Sequence, residues 1–229
     1  MSKIIWLEGL SGAGKSTIAD HLATRLTDCG YRVKIVDGDQ LRTGLCSDLG
    51  FGIPDRVENV RRAAHLASIL ANTVDVVIVA LITPLESMRA IVRTVLPMVI
   101  EVFVNAPIDV CAQRDPKGHY RKAREGKLKD FSGIDSPFEI PKAPQVVCHT
   151  DRETIEESAM KVFSAVFHSD RARTRPAKGS EPLPWISMVS SLPRRSDRLR
   201  FLQSWTSNDG DRNERRQESY RRDRSRWSR

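Results

Sequence analysis

Gly9-Leu10-Ser11-Gly12-Ala13-Gly14-Lys15-Ser16 follows the pattern G-x-x-x-x-G-K-[ST] and comes directly after the apolar run Ile4-Ile5-Trp6-Leu7. A strand that ends in such a loop, with Thr17 opening a helix behind it, restricts the chain to an α/β sheet with a phosphate-binding loop at its C-terminal edge. The glycines let the loop curl so that backbone N–H groups face phosphate oxygens. Lys15 adds a point charge near the β and γ groups, and the Ser16 hydroxyl suits a Mg²⁺ ion. The plainer alternative, a glycine turn before a helix with one exposed lysine, does not account for strand, loop and helix falling in order. The pattern implies binding of ATP.

Charge divides the chain. Residues 1–169 carry 21 Lys+Arg and 21 Asp+Glu, whereas residues 170–229 carry 16 Lys+Arg and 8 Asp+Glu, so the whole net charge of +8 lies in the tail. A sequence pI near 9.6 ordinarily points to a nucleic-acid partner, but here it says nothing about the first part, which is one domain's worth of chain. No apolar run approaches the roughly 18 residues of a membrane span, and Met1-Ser2-Lys3-Ile4 enters a strand without a signal-peptide layout, so a cytoplasmic protein is expected. Cys29, Cys46, Cys111 and Cys148 are scattered without zinc spacing and read as free thiols, with no disulfide and no structural metal.

Strands and helices alternate. A helix over 15–29 carries Ile18, Leu22 and Leu26 on one face and stops at Gly30, and a strand over 32–36 ends at Asp37-Gly38-Asp39. A helix over 55–72 follows. Then comes an almost continuously apolar strand over 74–82, as a parallel strand buried on both faces requires, with further strands over 100–104 and 145–148. The pattern predicts a doubly wound, mainly parallel sheet with helices on both faces. In such sheets ligands collect beyond the C-terminal strand ends, which here hold the glycine loop, Asp37 and Asp39, Thr83-Pro84 and Asn105-Ala106. Asp37 and Asp39 are candidates for a metal-side carboxylate and for aligning or deprotonating an acceptor hydroxyl, provided the chain turns at Gly38. A polar turn closing a strand is the plain alternative.

The loop Gly9–Thr17, then Asp37-Gly38-Asp39-Gln40-Leu41-Arg42, Asp48-Leu49-Gly50-Phe51, Arg56-Val57-Glu58-Asn59-Val60-Arg61-Arg62, Arg114-Asp115-Pro116-Lys117-Gly118 and Phe131-Ser132-Gly133-Ile134-Asp135-Ser136-Pro137 follow one another along the chain. In this order they resemble the signature of adenylylsulfate (APS) kinases, over about residues 3–167. The resemblance implies a P-loop NTPase-type fold with a mobile lid, and transfer of the γ-phosphoryl group of MgATP to the 3′-hydroxyl of adenosine 5′-phosphosulfate. It implies ATP-binding roles for Gly9 to Thr17 and Arg114, with Ser16 and Asp37 on the metal and Lys15, Asp37, Asp39 and, at the position of the family's phosphorylated serine, Thr83 in catalysis. It places Asp39, Arg42, Phe51, Arg56, Asn59, Ile82, Thr83, Lys117 and Phe131 around the acceptor. The chemistry fits: a phosphosulfate needs cationic donors such as Arg42, Arg56 and Lys117, and an adenine needs flat apolar faces such as Phe51 and Phe131. Either Phe can equally be core. The resemblance also implies a homodimer, and a separate ATP sulfurylase that supplies APS.

Residues 114–133 are basic and punctuated by glycine, and resemble the family's lid. Arg114, Lys117, Arg121 and Arg124 are candidates to close on phosphate groups, a solvated helix face being the alternative for Arg121, Lys122 and Arg124. His119 carries no assigned role. The chain departs from the family pattern in two places. Leu81-Ile82-Thr83-Pro84 has threonine where the family carries a serine that is phosphorylated in some members, and Gly52-Ile53-Pro54 predicts a stiffer loop after Phe51. A kinase of another small anionic nucleotide, such as a phosphoramidate or modified-sugar nucleotide, and a nucleotide-binding module without transfer stay open beside the APS reading.

Residues 170–229 form an Arg-rich extension with a short apolar island around Trp185-Ile186 and Met188-Val189, and read as disordered. The extension suits an arm for RNA, a phospholipid surface or an acidic partner, or else a tolerated appendage without a role of its own.

Overall fold

In the computed structural model, residues 2–168 are described, and the expectations for residues 170–229 lie outside them. The first half runs β1 (Lys3–Glu8), α1 (Lys15–Asp28), β2 (Val33–Asp37), α2 (Gly38–Thr43), α3 (Ile53–Leu70) and β3 (Val76–Ala80). The second half runs α4 (Glu86–Val95), β4 (Ile100–Asn105), α5 (Ile108–Arg114), α6 (His119–Arg124), β5 (Val146–His149) and α7 (Ile155–His168). The five strands form one sheet in the order β2-β3-β1-β4-β5, and every neighbouring pair is parallel. β1, at the centre, therefore delivers its loop to the middle of the C-terminal edge.

The period of two in the strands assigns their side chains to two cores. Ile5, Leu7, Val76, Ile78, Val102 and Val104 pack with Ile18, Leu22 and Leu26 of α1 and Val162 and Val166 of α7. Trp6, Val77 and Val79 point the other way, to Leu41 of α2, Val60, Ala63, Ala64 and Ala67 of α3 and Met88 and Val92 of α4. All of β3 is buried, as its unbroken Val-Val-Ile-Val-Ala run predicts.

Helix ends follow local chemistry. At the end of α1 the N–H of Gly30 donates to Thr27 O and that of Tyr31 to Leu26 O, with Gly30 left-handed at φ +86°; the paired bonds satisfy carbonyls that the helix leaves open. At the start of α7 the Glu157 N–H donates to Thr154 Oγ1, and Glu157 Oε2 accepts from the Thr154 N–H, a reciprocal capping box. Two local expectations change. Gly38 begins α2 instead of making a free turn, because Asp37 caps that helix by accepting from the Asp39 N–H. Ile53-Pro54 form the first turn of α3, where proline lacks only an N–H that has no helical partner, and so do not stiffen a loop.

A buried ion pair sits directly beneath the glycine loop. Glu8, the last residue of β1, and Arg89 of α4 are both fully buried. Arg89 donates from Nε to Glu8 Oε2 at 2.6 Å, from Nη1 to Glu86 Oε2 at 3.2 Å and from Nη2 to the carbonyl of Glu139 at 2.5 Å. Burial outweighs Arg89 and pushes the Glu8 carboxyl from its ordinary 4.5 up to about 7. A carboxyl raised in this way holds more protons folded than unfolded between those two values, so its contribution to stability falls as pH rises through that window. Arg89→Met removes the charge that favours the Glu8 carboxylate, so the buried carboxyl has to stay protonated, and the variant is expected to lose about 3–5 kcal/mol at pH about 8, where Glu8 of the unaltered chain is ionised. The loss should be smaller at pH about 5, where Glu8 is protonated, and the Glu8→Met/Arg89→Met pair should recover part of it. Urea melts of the three variants at both pH values measure this.

Candidate active site

The glycine loop leaves β1 pressed against neighbouring backbone. A Cβ on Gly9, at φ +149°, would stand 2.2 Å from Val104 O, and one on Gly12, at φ +75°, would stand 2.8 Å from Cys111 O. Only glycine accepts both the closeness and the left-handed dihedrals. Gly14 is the N-cap of α1, Ala13 is buried, and Leu10 and Ser11 complete the turn. Thr17 lies exposed in the first turn of the helix. Lys15 folds back over the loop, donating from Nζ to Gly9 O at 2.9 Å and Leu10 O at 2.8 Å. Burial first, and then the nearby charge of Lys117, lowers its ammonium to about 8.

Across the loop stands the end of β2. Ser16 Oγ donates to Asp37 Oδ2 at 2.8 Å, and Asp37 Oδ1 accepts the Asp39 N–H at 2.9 Å. A hydroxyl and a carboxylate side by side at a phosphate loop are hard oxygen donors of the kind Mg²⁺ takes along with phosphate and water. Asp39 forms an ion pair with Lys117 from the lid segment. Sequence-distant groups thus meet at the C-terminal strand ends.

The expected acceptor groups cluster on α2, α3 and the segment after α6, but several already hold backbone. Arg42 donates from Nη1 to Leu49 O at 2.9 Å and Gly50 O at 2.5 Å, and its guanidinium covers the ring of half-exposed Phe51 at 4.7 Å. Arg56 donates from Nε to Phe51 O at 2.7 Å and from Nη2 to Asp130 O at 2.5 Å. It therefore ties the Phe51 loop to the residue before Phe131 and retains further N–H donors. Asn59 is buried, and its Oδ1 has no hydrogen-bond partner among the described residues. Phe131 is buried in the core on the α1 side.

Ile82 and Thr83 join this wall through β1. The Ile82 carbonyl accepts the Gly9 N–H at 3.2 Å. Thr83 is buried at a φ of 47°, an unusual dihedral for a β-branched residue, and its Oγ1 accepts the indole N–H of Trp6 at 2.9 Å. A hydroxyl held in this way is a strut between β1 and the wall. Arg114 lies on the other side of the loop. Its Nη1 donates to Gly12 O at 3.3 Å and Thr150 Oγ1 at 3.1 Å, and its Nη2 donates to Thr150 O at 2.6 Å. Arg121 and Arg124 lie exposed on α6.

Four contributors escape sequence reasoning. Trp6 hides in an apolar strand, and Thr150 follows β5, where no motif marks it; its hydroxyl donates to Ala13 O at 2.7 Å. Asp115 caps α6 by accepting the N–H groups of Tyr120 and Arg121, and Tyr120 lies within a stretch read as charged lid.

A family model for adenylylsulphate kinase matches residues 1–149. The adenylyl-sulfate kinase of Microcystis aeruginosa is 48% identical over 160 residues, 70% of this chain and 88% of the relative. That of Rippkaea orientalis is 47% identical over 159 residues, 69% of this chain and 88% of the relative. Among solved structures, the APS kinase CysC of Mycobacterium tuberculosis, in complex with AMPPNP and APS, superposes with a TM-score of 0.69 at 41% identity, covering 72% of this chain and 96% of the other. With this extent of sequence likeness over a parallel sheet carrying the phosphate loop, the chain belongs to the adenylylsulphate kinase family.

Proposed function

We infer that this chain transfers the γ-phosphoryl group of ATP to the 3′-hydroxyl of adenosine 5′-phosphosulfate, yielding 3′-phosphoadenosine 5′-phosphosulfate and ADP. The observation that carries the reading, in a member of this family, is the junction at the end of β2. There Ser16 Oγ meets Asp37 Oδ2 at 2.8 Å, and the Asp39 N–H meets the same carboxylate. This joins the donor loop to the acceptor loop.

Phosphoryl transfer leaves little covalent work to a protein, so residues act by placing groups and meeting charge. Backbone N–H groups of the Gly9–Ser16 loop and the Lys15 ammonium hold the phosphates of ATP. Arg114 braces the loop from outside through Gly12 O. Ser16 and Asp37 are the groups that would hold Mg²⁺, whose chemistry when bound is to neutralise charge on the phosphate oxygens. Asp39 orients the acceptor hydroxyl and takes its proton, which requires it to part from Lys117, leaving that ammonium for an anionic group of substrate. Arg42, Arg56 and Asn59 face the acceptor, with N–H donors not spent on carbonyls and an amide oxygen that awaits a partner. Phe51 and Phe131 supply its apolar walls. The Thr83 hydroxyl, covered and held by Trp6, favours direct in-line transfer over a phosphorylated enzyme. Closure of residues 114–133 over the cleft, a homodimer, a separate ATP sulfurylase as the source of APS and a cytoplasmic setting belong to the same reading on the resemblance.

APS-dependent ADP release, followed in a coupled assay with MgATP, should be present in the full chain. Lys15→Ala and Asp39→Asn should each lower it at least about 100-fold. ATP binding without ADP release in the presence of APS would remove APS as the acceptor. Incubation with γ-labelled ATP should leave no label on the protein, and stoichiometric label on Thr83 would reverse the direct-transfer reading. Because Lys15 loses its charge as pH rises through about 8, affinity for AMPPNP should decline above that pH, by at most roughly tenfold per unit. Calorimetric titrations from pH about 6.5 to about 9.5 would show the decline, and Lys15→Met should flatten it.

A further inference from the structure

Tyr120 stands where the phosphate loop and the acceptor wall come within reach of one side chain. It is almost fully buried, although it lies in α6 among Arg121, Lys122 and Arg124. Its hydroxyl donates to Ser11 O at 3.0 Å. Its ring meets Phe131 edge to face, with centroids 4.8 Å apart at 87°. Its own N–H is held by Asp115 Oδ1 at 3.1 Å, and the Phe131 N–H is held by Asp135 Oδ1 at 2.6 Å. Both ends of the contact are thus anchored.

The Ser11 bond has a directional consequence. The described residues contain no cis peptide bond, so the carbonyl of Ser11 and the N–H of Gly12 point in opposite directions. A phenol that draws the carbonyl of Ser11 toward α6 turns the Gly12 N–H the other way, as a loop donor to phosphate. On the other side, the ring of Tyr120 packs roughly perpendicular to that of Phe131, and Arg56 links the neighbouring Asp130 carbonyl to the Phe51 loop. The phenol stays protonated, since burial raises it above its ordinary range, and so remains a donor.

We propose that Tyr120 is a positioning residue that couples the two substrate sites: its hydroxyl sets the phosphate loop, its ring sets the acceptor wall, and occupancy of either site is felt at the other. The proposal rests on the reading of this cleft as an APS kinase site. It calls for binding of AMPPNP and APS to be mutually favourable by a factor in the ordinary range of such couplings, about 5–150-fold.

The test compares the full chain with Tyr120→Phe and Tyr120→Leu. AMPPNP affinity is measured by calorimetry with and without saturating APS, alongside thermal melts and separate KM and kcat values. Tyr120→Phe keeps the ring and removes one donor, leaving the Ser11 carbonyl unpaired. Its AMPPNP affinity without APS should fall about 5–30-fold, with KM for ATP rising more than KM for APS. Tyr120→Leu should in addition bring the coupling factor to about 1. Unchanged AMPPNP affinity in Tyr120→Phe would make the hydroxyl mere filling, and unchanged coupling in a Tyr120→Leu protein that melts as a folded chain would overturn the link. Independent binding of the two ligands by the unaltered chain overturns the coupling while leaving the kinase reading intact. Absence of APS turnover in the unaltered chain overturns the kinase reading itself.

Discussion

At the mouth of β1, main chain meets main chain with no room for a side chain between. The Gly9 Cα faces the carbonyl of Val104 and Gly12 faces that of Cys111, each at a separation that any Cβ would violate. This contact decides where everything else stands. Because the loop lies on β4 and α5, α1 starts at a set height above the sheet, Lys15 finds the Gly9 and Leu10 carbonyls, and Ser16 arrives beside Asp37. The central position of β1 then places the loop between the β2 edge, which brings the acidic pair, and the β5 side, which brings Thr150. A loop supported on both flanks loses little order when phosphate arrives, and preorganised N–H groups of this kind are what phosphoryl transfer rewards.

The arginines of the site show a common pattern. Arg42, Arg56 and Arg114 each spend part of the guanidinium on backbone carbonyls, and Arg89, outside the cleft, does the same to Glu139. A planar fork with several donors can staple a loop and still present N–H groups to an anion, which an ammonium cannot do. The acceptor loops are therefore held by the cations expected to meet the substrate. Lys117, a point charge on a flexible stem, pairs instead with the Asp39 carboxylate.

Much of this was legible along the chain. Gly9–Ser16 announces the phosphate site because its glycines and lysine answer a local requirement of backbone shape and charge. Val76 to Ala80 announces a central parallel strand because burial on both faces demands an apolar residue at every position. Gly30 ends α1 as read, since a left-handed residue is needed there. After β3 the strands stand within a residue of the apolar runs at 100–104 and 145–148, but the helices are less plain in the sequence. α4 spaces Met88, Ile91, Val92 and Val95 as a helix does but buries Arg89 beside them, and α6 looks like a solvated run of bases.

The sequence by itself determined the α/β class and the glycine loop after β1, because each follows from periodicity, dihedral need or spacing over a few residues. Only the tertiary structure decided the partners: Thr83 with Trp6, Arg56 with Asp130, Glu8 with Arg89, and Tyr120 with both Ser11 and Phe131. These residues lie far apart in sequence, apart from Tyr120 and Phe131. Nothing local specifies such pairs, since a buried donor takes whichever acceptor the packing of the two cores carries to it, and the need to satisfy it appears only once water has been excluded.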